Sequence, residues 1–481
     1  PGYNKMKSLL FLIALLCIAS VVESHVDTFR GGRGKDAWKQ RTIYQVLTDR
    51  YAKHDGSKGS CSNLSKYCGG TYKGLIKELD YIQGMGFDAI WVSPILKNLD
   101  GGYHGYWATD LYSLNENFGT EQDFKDLIEE LHKRDMWIMV DVVANHVGPV
   151  GMDFSGINPF NQPEHYHERC IISDDDFANN QERVENCRLA DLPDLAQEND
   201  FVRTTLLSWI KDLVQKYNID GLRIDTIPEV PKWFWTQFQE AAGVYAVGEV
   251  FDMRLGYVAD YQNYVDAVLN YPLRNAINDV WRYNSKNFRD LANSMNANRN
   301  AFKDVDALGV FVDNHDNERF LHGNSNHAGL EAATIFGIFA EGIPMVYYGT
   351  EQYYGGGPDP ANREQLWTNF DTSSNLYQML KAAIQTRKDH KTWDNKYVER
   401  YVDDNFLAFS RGEVLIAVTN QGGSVENHVT YLPFNKGDTI CNIFNSSDCL
   451  TVEDGVNITL DNYQTKVYVK SSNNAQESIK E

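Results

Sequence analysis

Three acids stand at the ends of strand-like runs. Asp225 closes Ile219-Asp220-Gly221-Leu222-Arg223-Ile224-Asp225, and Glu249 closes Val244-Tyr245-Ala246-Val247-Gly248-Glu249. Asp316 closes Val310-Phe311-Val312-Asp313-Asn314-His315-Asp316. The period-two alternation sends Arg223 and Asp225 to the same side of the pleat. A charged pair there is costly unless chemistry requires it. Paired carboxylates suit glycoside hydrolysis, in which one stays ionised and attacks while another, with a raised pKa, protonates the leaving oxygen. Two carboxylates and a metal also serve phosphate hydrolysis, but the sequence holds no His/Asp cluster at two-metal spacing.

The elements that must hold these acids follow a regular rhythm. Strand candidates start near residues 43, 87, 136, 219, 244, 266, 308 and 343, separated by helical segments such as 75–84, 121–134, 201–217, 231–242 and 329–340. Eight alternating units predict a (β/α)8 TIM barrel, whose C-terminal rim carries the catalytic groups. Residues 25–144 and 201–390 form the barrel in this reading. Between them, 145–200 is polar and irregular, far longer than an ordinary connection, and reads as an inserted domain after the third strand. A helix over 375–388 leads to short alternating runs in 391–481, which predict an antiparallel β-sandwich.

Net charge is −21 with no basic block, which argues against nucleic acid and favours an uncharged substrate. Met6-Lys7, the apolar run Leu9 to Ala19 and Ser20 to Ser24 read as a secretory signal over 1–24, with residues 1–5 lying upstream of the initiator. No later run is long and apolar enough for a membrane span, so a secreted monomer is expected. After Cys17, six cysteines fall in close pairs, and these predict disulfides Cys61–Cys68, Cys170–Cys187 and Cys441–Cys449. Asn63-Leu64-Ser65, Asn445-Ser446-Ser447 and Asn457-Ile458-Thr459 are glycosylation acceptors.

Six segments give the chain a recognisable likeness. They are Tyr103-His104-Gly105-Tyr106-Trp107, Asp141-Val142-Val143-Ala144-Asn145-His146, Gly221 to Asp225, Gly248-Glu249-Val250, Phe311 to Asp316, and Asp359-Pro360-Ala361-Asn362-Arg363-Glu364. In this order and spacing, from about 38 to 390, the chain resembles the alpha-amylase family of glycoside hydrolases, especially secreted fungal members. The resemblance implies retaining endo-hydrolysis of α-1,4-glucans. Asp225 would be the nucleophile, Glu249 the general acid/base and Asp316 the stabiliser that grips sugar hydroxyls. Arg223 would fix the nucleophile and keep it ionised. His146 and His315 would bond substrate, Tyr106 would stack on a sugar, and His104, Trp107, Asp359 and Arg363 would shape the same pocket. Asp141 would be a supporting acid.

By the same resemblance, Asn145, Glu185, Asp194 and the Glu229 backbone carbonyl would hold a Ca2+ ion that ties the insert to the barrel. Oxygen donors gathered from distant loops suit such a hard cation. Two features depart from the family pattern. Pro228-Glu229 stands where close relatives carry Lys-His, so Glu229 should change the leaving-group side of the cleft. A disulfide usual in the later barrel is also missing.

Overall fold

The structure, a computed structural model, describes residues 33–471. The signal expected over 1–24 lies outside the described residues. Eight parallel strands form the barrel sheet: β1 Ile43–Val46, β2 Ala89–Val92, β3 Trp137–Val142, β4 Gly221–Ile224, β5 Tyr245–Gly248, β6 Ala267–Val268, β7 Gly309–Val310 and β8 Ile343–Tyr347. They run side by side in the order β6-β5-β4-β3-β2-β1-β8-β7. Across the remaining seam, Leu269 bridges Gly309 in parallel, which almost closes the ring. The strands are buried along most of their length, as expected where helices cover a parallel sheet.

Local chemistry fixes the covering helices. Thr120 and Asp123 form a capping box at the start of Glu121–Lys133, whose Phe124, Leu127, Ile128 and Leu131 make the buried stripe. Asn199 caps Asp200–Tyr217, which ends at Asn218 in a left-handed conformation. The helix expected over 75–84 is two short ones, Tyr72–Lys77 and Leu79–Gly84.

The sixth and seventh strands are shorter than the sequence suggests, and Asp316 does not end a strand. β7 stops at Val310, six residues before it. The polar side chains that follow take over the backbone bonds. Asp313 accepts from the Phe320 N–H, and Asn314 accepts from the Asp316 and Asn317 N–H groups, so the chain leaves the ladder. β6 is cut short because Asn270 caps the helix Tyr271–Trp281 instead. The loop after β2 holds a hairpin of Leu96–Asn98 with Ala108–Leu114, and Tyr103 to Trp107 sit at its tip.

Within 145–200, two short helices, Asp174–Asn179 and Gln181–Asn186, pack beside a small cluster of Ile172, Val184 and Cys187. A bridge between His146 and Asp194 closes this stretch on itself, and a bond from Gln197 to the Ala144 carbonyl ties it to the barrel. All three expected cysteine pairs are bonded. Beyond the helix Asn375–Asp389 lies a separate antiparallel domain. A six-stranded sheet and a ribbon of Val425–Val429 with Val456–Leu460 enclose their own core there. Among the described residues, no helix is long and apolar enough to cross a membrane.

Candidate active site

The pairing register assembles the site at the C-terminal ends of β3, β4 and β5. Asp141 on β3 lies opposite Arg223 on β4, and Ile224 lies opposite Gly248. Asp225 and Glu249 are therefore the first residues beyond adjacent strands. The next residue, Thr226, has φ +49°, a conformation that costs a β-branched residue energy. This bend points its N–H toward Glu249 Oε2 at 3.4 Å. Gly248 leaves the room that Ile227 fills, because a Cβ there would lie 2.6 Å from the Ile227 side chain.

Arg223, fully buried, is the centre of the cluster. Its Nη1 donates to Asp225 Oδ1 at 2.7 Å and to Asp141 Oδ1 at 3.0 Å. Its Nη2 stands 2.9 Å from Glu249 Oε2 and 3.7 Å from Asp316 Oδ2, without an aligned hydrogen bond to either. One cation thus faces four carboxyls in a low-dielectric site. Burial, partly offset by Arg223, pushes Asp141, Asp225 and Glu249 each up to about 7. The cluster therefore retains protons near neutrality, shared among interacting groups. Arg223 counters this rise at Asp225, in the direction expected of the nucleophile's partner. It does distinguish the acids: Asp225 receives the aligned charge-assisted bond and Glu249 does not.

Tyr106 ties the cluster to the hairpin. Its hydroxyl lies 2.8 Å from Asp141 Oδ2 and 2.6 Å from His315 Nε2. Its ring is parallel to His315, with centroids 5.5 Å apart, and stacks on His104 at 5.7 Å. His146 meets the Tyr106 carbonyl at 3.2 Å. Burial pushes His104 down to about 3 and His146 down to about 4, and takes His315 well below the usual range, so all three are neutral. Trp107 reaches the group only through an edge contact with His104. Arg363 stands 3.6 Å from Asp316 Oδ1 and 3.1 Å from the half-exposed Asp359.

A family model, "Alpha amylase, catalytic domain", matches residues 45–398. The chain belongs to the alpha-amylase family. The alpha-amylase of Saccharomycopsis fibuligera is 39% identical over 86% of this chain and 87% of its own length. Alpha-amylase 2 of Schwanniomyces occidentalis is 38% identical, over 88% and 89%. Among solved structures, an alpha-amylase from Malbranchea cinnamomea superposes with TM-score 0.86 at 40% identity, covering 91% of this chain and 97% of that one. The chain is thus an alpha-amylase-type glycoside hydrolase acting on α-1,4-glucosidic bonds.

Three of the four oxygen donors implied for calcium do meet in this alpha-amylase fold. The Asn145 amide lies 3.0 Å from the Glu229 carbonyl oxygen and 2.9 Å from Asp194 Oδ1. With its NH2 toward them, the amide donates to both. With its oxygen toward them, three acceptors crowd one another, an arrangement only a cation stabilises. Glu185 stands nearby, taking a bond from Gln181, whose amide also reaches the Pro228 carbonyl. Among the described residues, no three or more His, Cys, Asp or Glu side chains group to hold a metal. The expected set contains only two such side chains, so its fit rests on the amide and the carbonyl.

Glu229 sits in the turn Ile227–Glu229 between this oxygen group and the catalytic cluster. Its carboxyl is buried, its Oε2 has no hydrogen-bond partner, and burial reinforced by Glu249 and Asp225 pushes it up to about 8. Four supporting residues escaped sequence reasoning. Trp91 donates to Asp141 at 3.1 Å, Gln45 lies 2.7 Å from His315 Nδ1, Tyr271 reaches Glu249 at 3.5 Å, and Asn314 bonds Tyr271. Gln45, polar within the apolar run of β1, carried the one legible signal.

Proposed function

We propose that the chain is a secreted, calcium-dependent, endo-acting alpha-amylase that cuts internal α-1,4 bonds with retention of configuration. The observation that carries this reading is the unequal grip of Arg223 on Asp225 and Glu249. Asp225, held by the aligned bond, is the carboxylate that attacks C1 of the glucosyl unit. Glu249, which lacks that aligned bond, gives a proton to the glycosidic oxygen as the C1–O bond breaks. A glucosyl ester on Asp225 results, and the reducing-end fragment leaves. Glu249 then takes a proton from water, whose oxygen attacks C1 and releases Asp225. Two inversions give the α-product.

Asp316 and Arg363 grip sugar hydroxyls beside the cleaved bond, and His146 and His315 bind substrate on the same wall. Tyr106 supplies the stacking face, with His104, Trp107 and Asp359 lining the same side. Glu229 borders the leaving-group side, where a carboxyl replaces the expected imidazole. Asn145, Asp194, Glu185 and the Glu229 carbonyl would hold Ca2+, which fixes the insert against the barrel and takes no part in bond cleavage. The three disulfides and the apolar N-terminal run support secretion. A time course of products from maltoheptaose, with and without calcium, tests the reading. Early maltotriose and maltotetraose support it, whereas glucose alone from the first minutes would indicate an exo-acting enzyme.

A further inference from the structure

One side-chain amide joins three segments around the catalytic cluster. Gln181 opens the insert helix Gln181–Asn186, Pro228 lies in the turn beyond Asp225, and Tyr257 lies in the helix Leu255–Asp260 beyond Glu249. The Gln181 Nε2 donates to the Glu185 carboxylate and to the Pro228 carbonyl, each at 2.9 Å. Its Oε1 accepts from the Tyr257 hydroxyl at 2.7 Å, and the buried Tyr261 hydroxyl closes the group at 3.3 Å from that of Tyr257. A carbonyl can only accept, so the bond to Pro228 fixes which way the amide faces.

We propose that Gln181 is a positioning residue for the leaving-group side of the cleft, setting through Pro228 the direction in which Glu229 presents its side chain. The proposal rests on the placement of Glu229 beside the departing chain.

The turn needs support from outside. Thr226 enters it at φ +49°, and its own closing bond, from the Val230 N–H to the Ile227 carbonyl, is long at 3.4 Å. That carbonyl also accepts from Trp235 at 2.8 Å. The ring of Pro228 fixes its φ and leaves ψ free. The bond from Gln181 to the Pro228 carbonyl sets ψ, and because the peptide is planar it also sets where the chain enters Glu229. Glu229 is the residue that depends on this: its carboxyl is buried, and its Oε2 has no hydrogen-bond partner to hold it.

A second tie joins the insert to the same wall without touching the turn. The half-exposed Arg254 donates to the Phe177 carbonyl at 2.8 Å and to the Ala178 carbonyl at 3.3 Å, near the end of the helix Asp174–Asn179. Cutting this tie loosens the insert and leaves Pro228 held, which makes Arg254 the control.

The test compares kcat/KM for maltoheptaose, which fills both sides of the cleft, with kcat/KM for α-maltotriosyl fluoride, whose departing fluoride puts no sugar on the leaving-group side. Calcium is kept saturating throughout. Gln181→Leu should lower the maltoheptaose value about tenfold, the upper worth of one neutral hydrogen bond, and leave the fluoride value unchanged. Tyr257→Phe removes only the hydroxyl that orients the amide. It should shift the same ratio in the same direction by less, and it decides the matter if Gln181→Leu does not fold. Arg254→Ala should change neither value. Equal losses on both substrates, no loss on either, or the same shift from Arg254→Ala would overturn the proposal and assign Gln181 to the stability of the insert. Glu229→Gln separates the two claims. A ratio shifted by Glu229→Gln supports the placement on which the proposal rests, whereas an unshifted one would refute that placement and the route through Pro228 with it.

Discussion

Arg223 Nη1 stands 2.7 Å from Asp225 Oδ1, although the two residues are only two apart and both buried. Their strand alternation makes this possible, and the register with β3 adds Asp141 to the same guanidinium. The cluster is a place where one positive charge is asked to balance several negative ones. Its consequences are thermodynamic as well as catalytic.

The first concerns stability. Glu249 is pushed up to about 7 in the folded chain, against roughly 4.3 when unfolded. The folded state therefore binds more protons between these values, and stability falls as pH rises from about 4 to about 7, then levels off. Thermal melts of wild type and Glu249→Gln in saturating calcium check this. The variant should lose part of the slope in that window; identical slopes would contradict the assignment.

A second prediction follows from Asp316. Its charge raises both Asp225 and Glu249. Asp316→Asn should cut kcat/KM by at least about 10²-fold, as loss of a group that strengthens its grip in the transition state does. The residual activity should have both limbs of its pH profile displaced toward acid. A profile unmoved within error would mean that Asp316 acts on the sugar alone.

Calcium gives a third. If Ca2+ binds the folded chain only, a 1,000-fold excess over Kd stabilises by about 4 kcal/mol. Chelation should lower Tm by several degrees, and Asn145→Ala should abolish the response to added calcium. Retention of that response in Asn145→Ala would place the ion elsewhere.

Glu229→His supplies a fourth. The backbone carbonyl survives the change, so the calcium response should remain while the product pattern from maltoheptaose shifts. The measured quantity is the ratio of transfer products to hydrolysis products at high substrate. An unchanged ratio would remove Glu229 from the leaving-group side of the cleft.

Much of this was legible in the chain. Asp225 and Glu249 follow apolar runs that became β4 and β5, and the eight-unit rhythm of a barrel is local in sequence. Asp316 was harder, because Asp313 and Asn314 divert the backbone through side-chain bonds that hydropathy does not record. The sharing of Arg223 by four carboxyls depends on register between strands some 80 residues apart, which local pattern leaves unspecified. Trp91 lies in the apolar run of β2, which gives no hint that it donates a hydrogen bond to Asp141.

The most direct test of the central claim traps the glycosyl-enzyme. Incubation with a 5-fluoro-maltosyl fluoride, followed by proteolysis and mass spectrometry, identifies the residue that carries the sugar. The account predicts a labelled peptide containing Gly221 to Thr226, with the ester on Asp225. A label on Glu249 or Asp316, or turnover that never produces a labelled peptide, would contradict it.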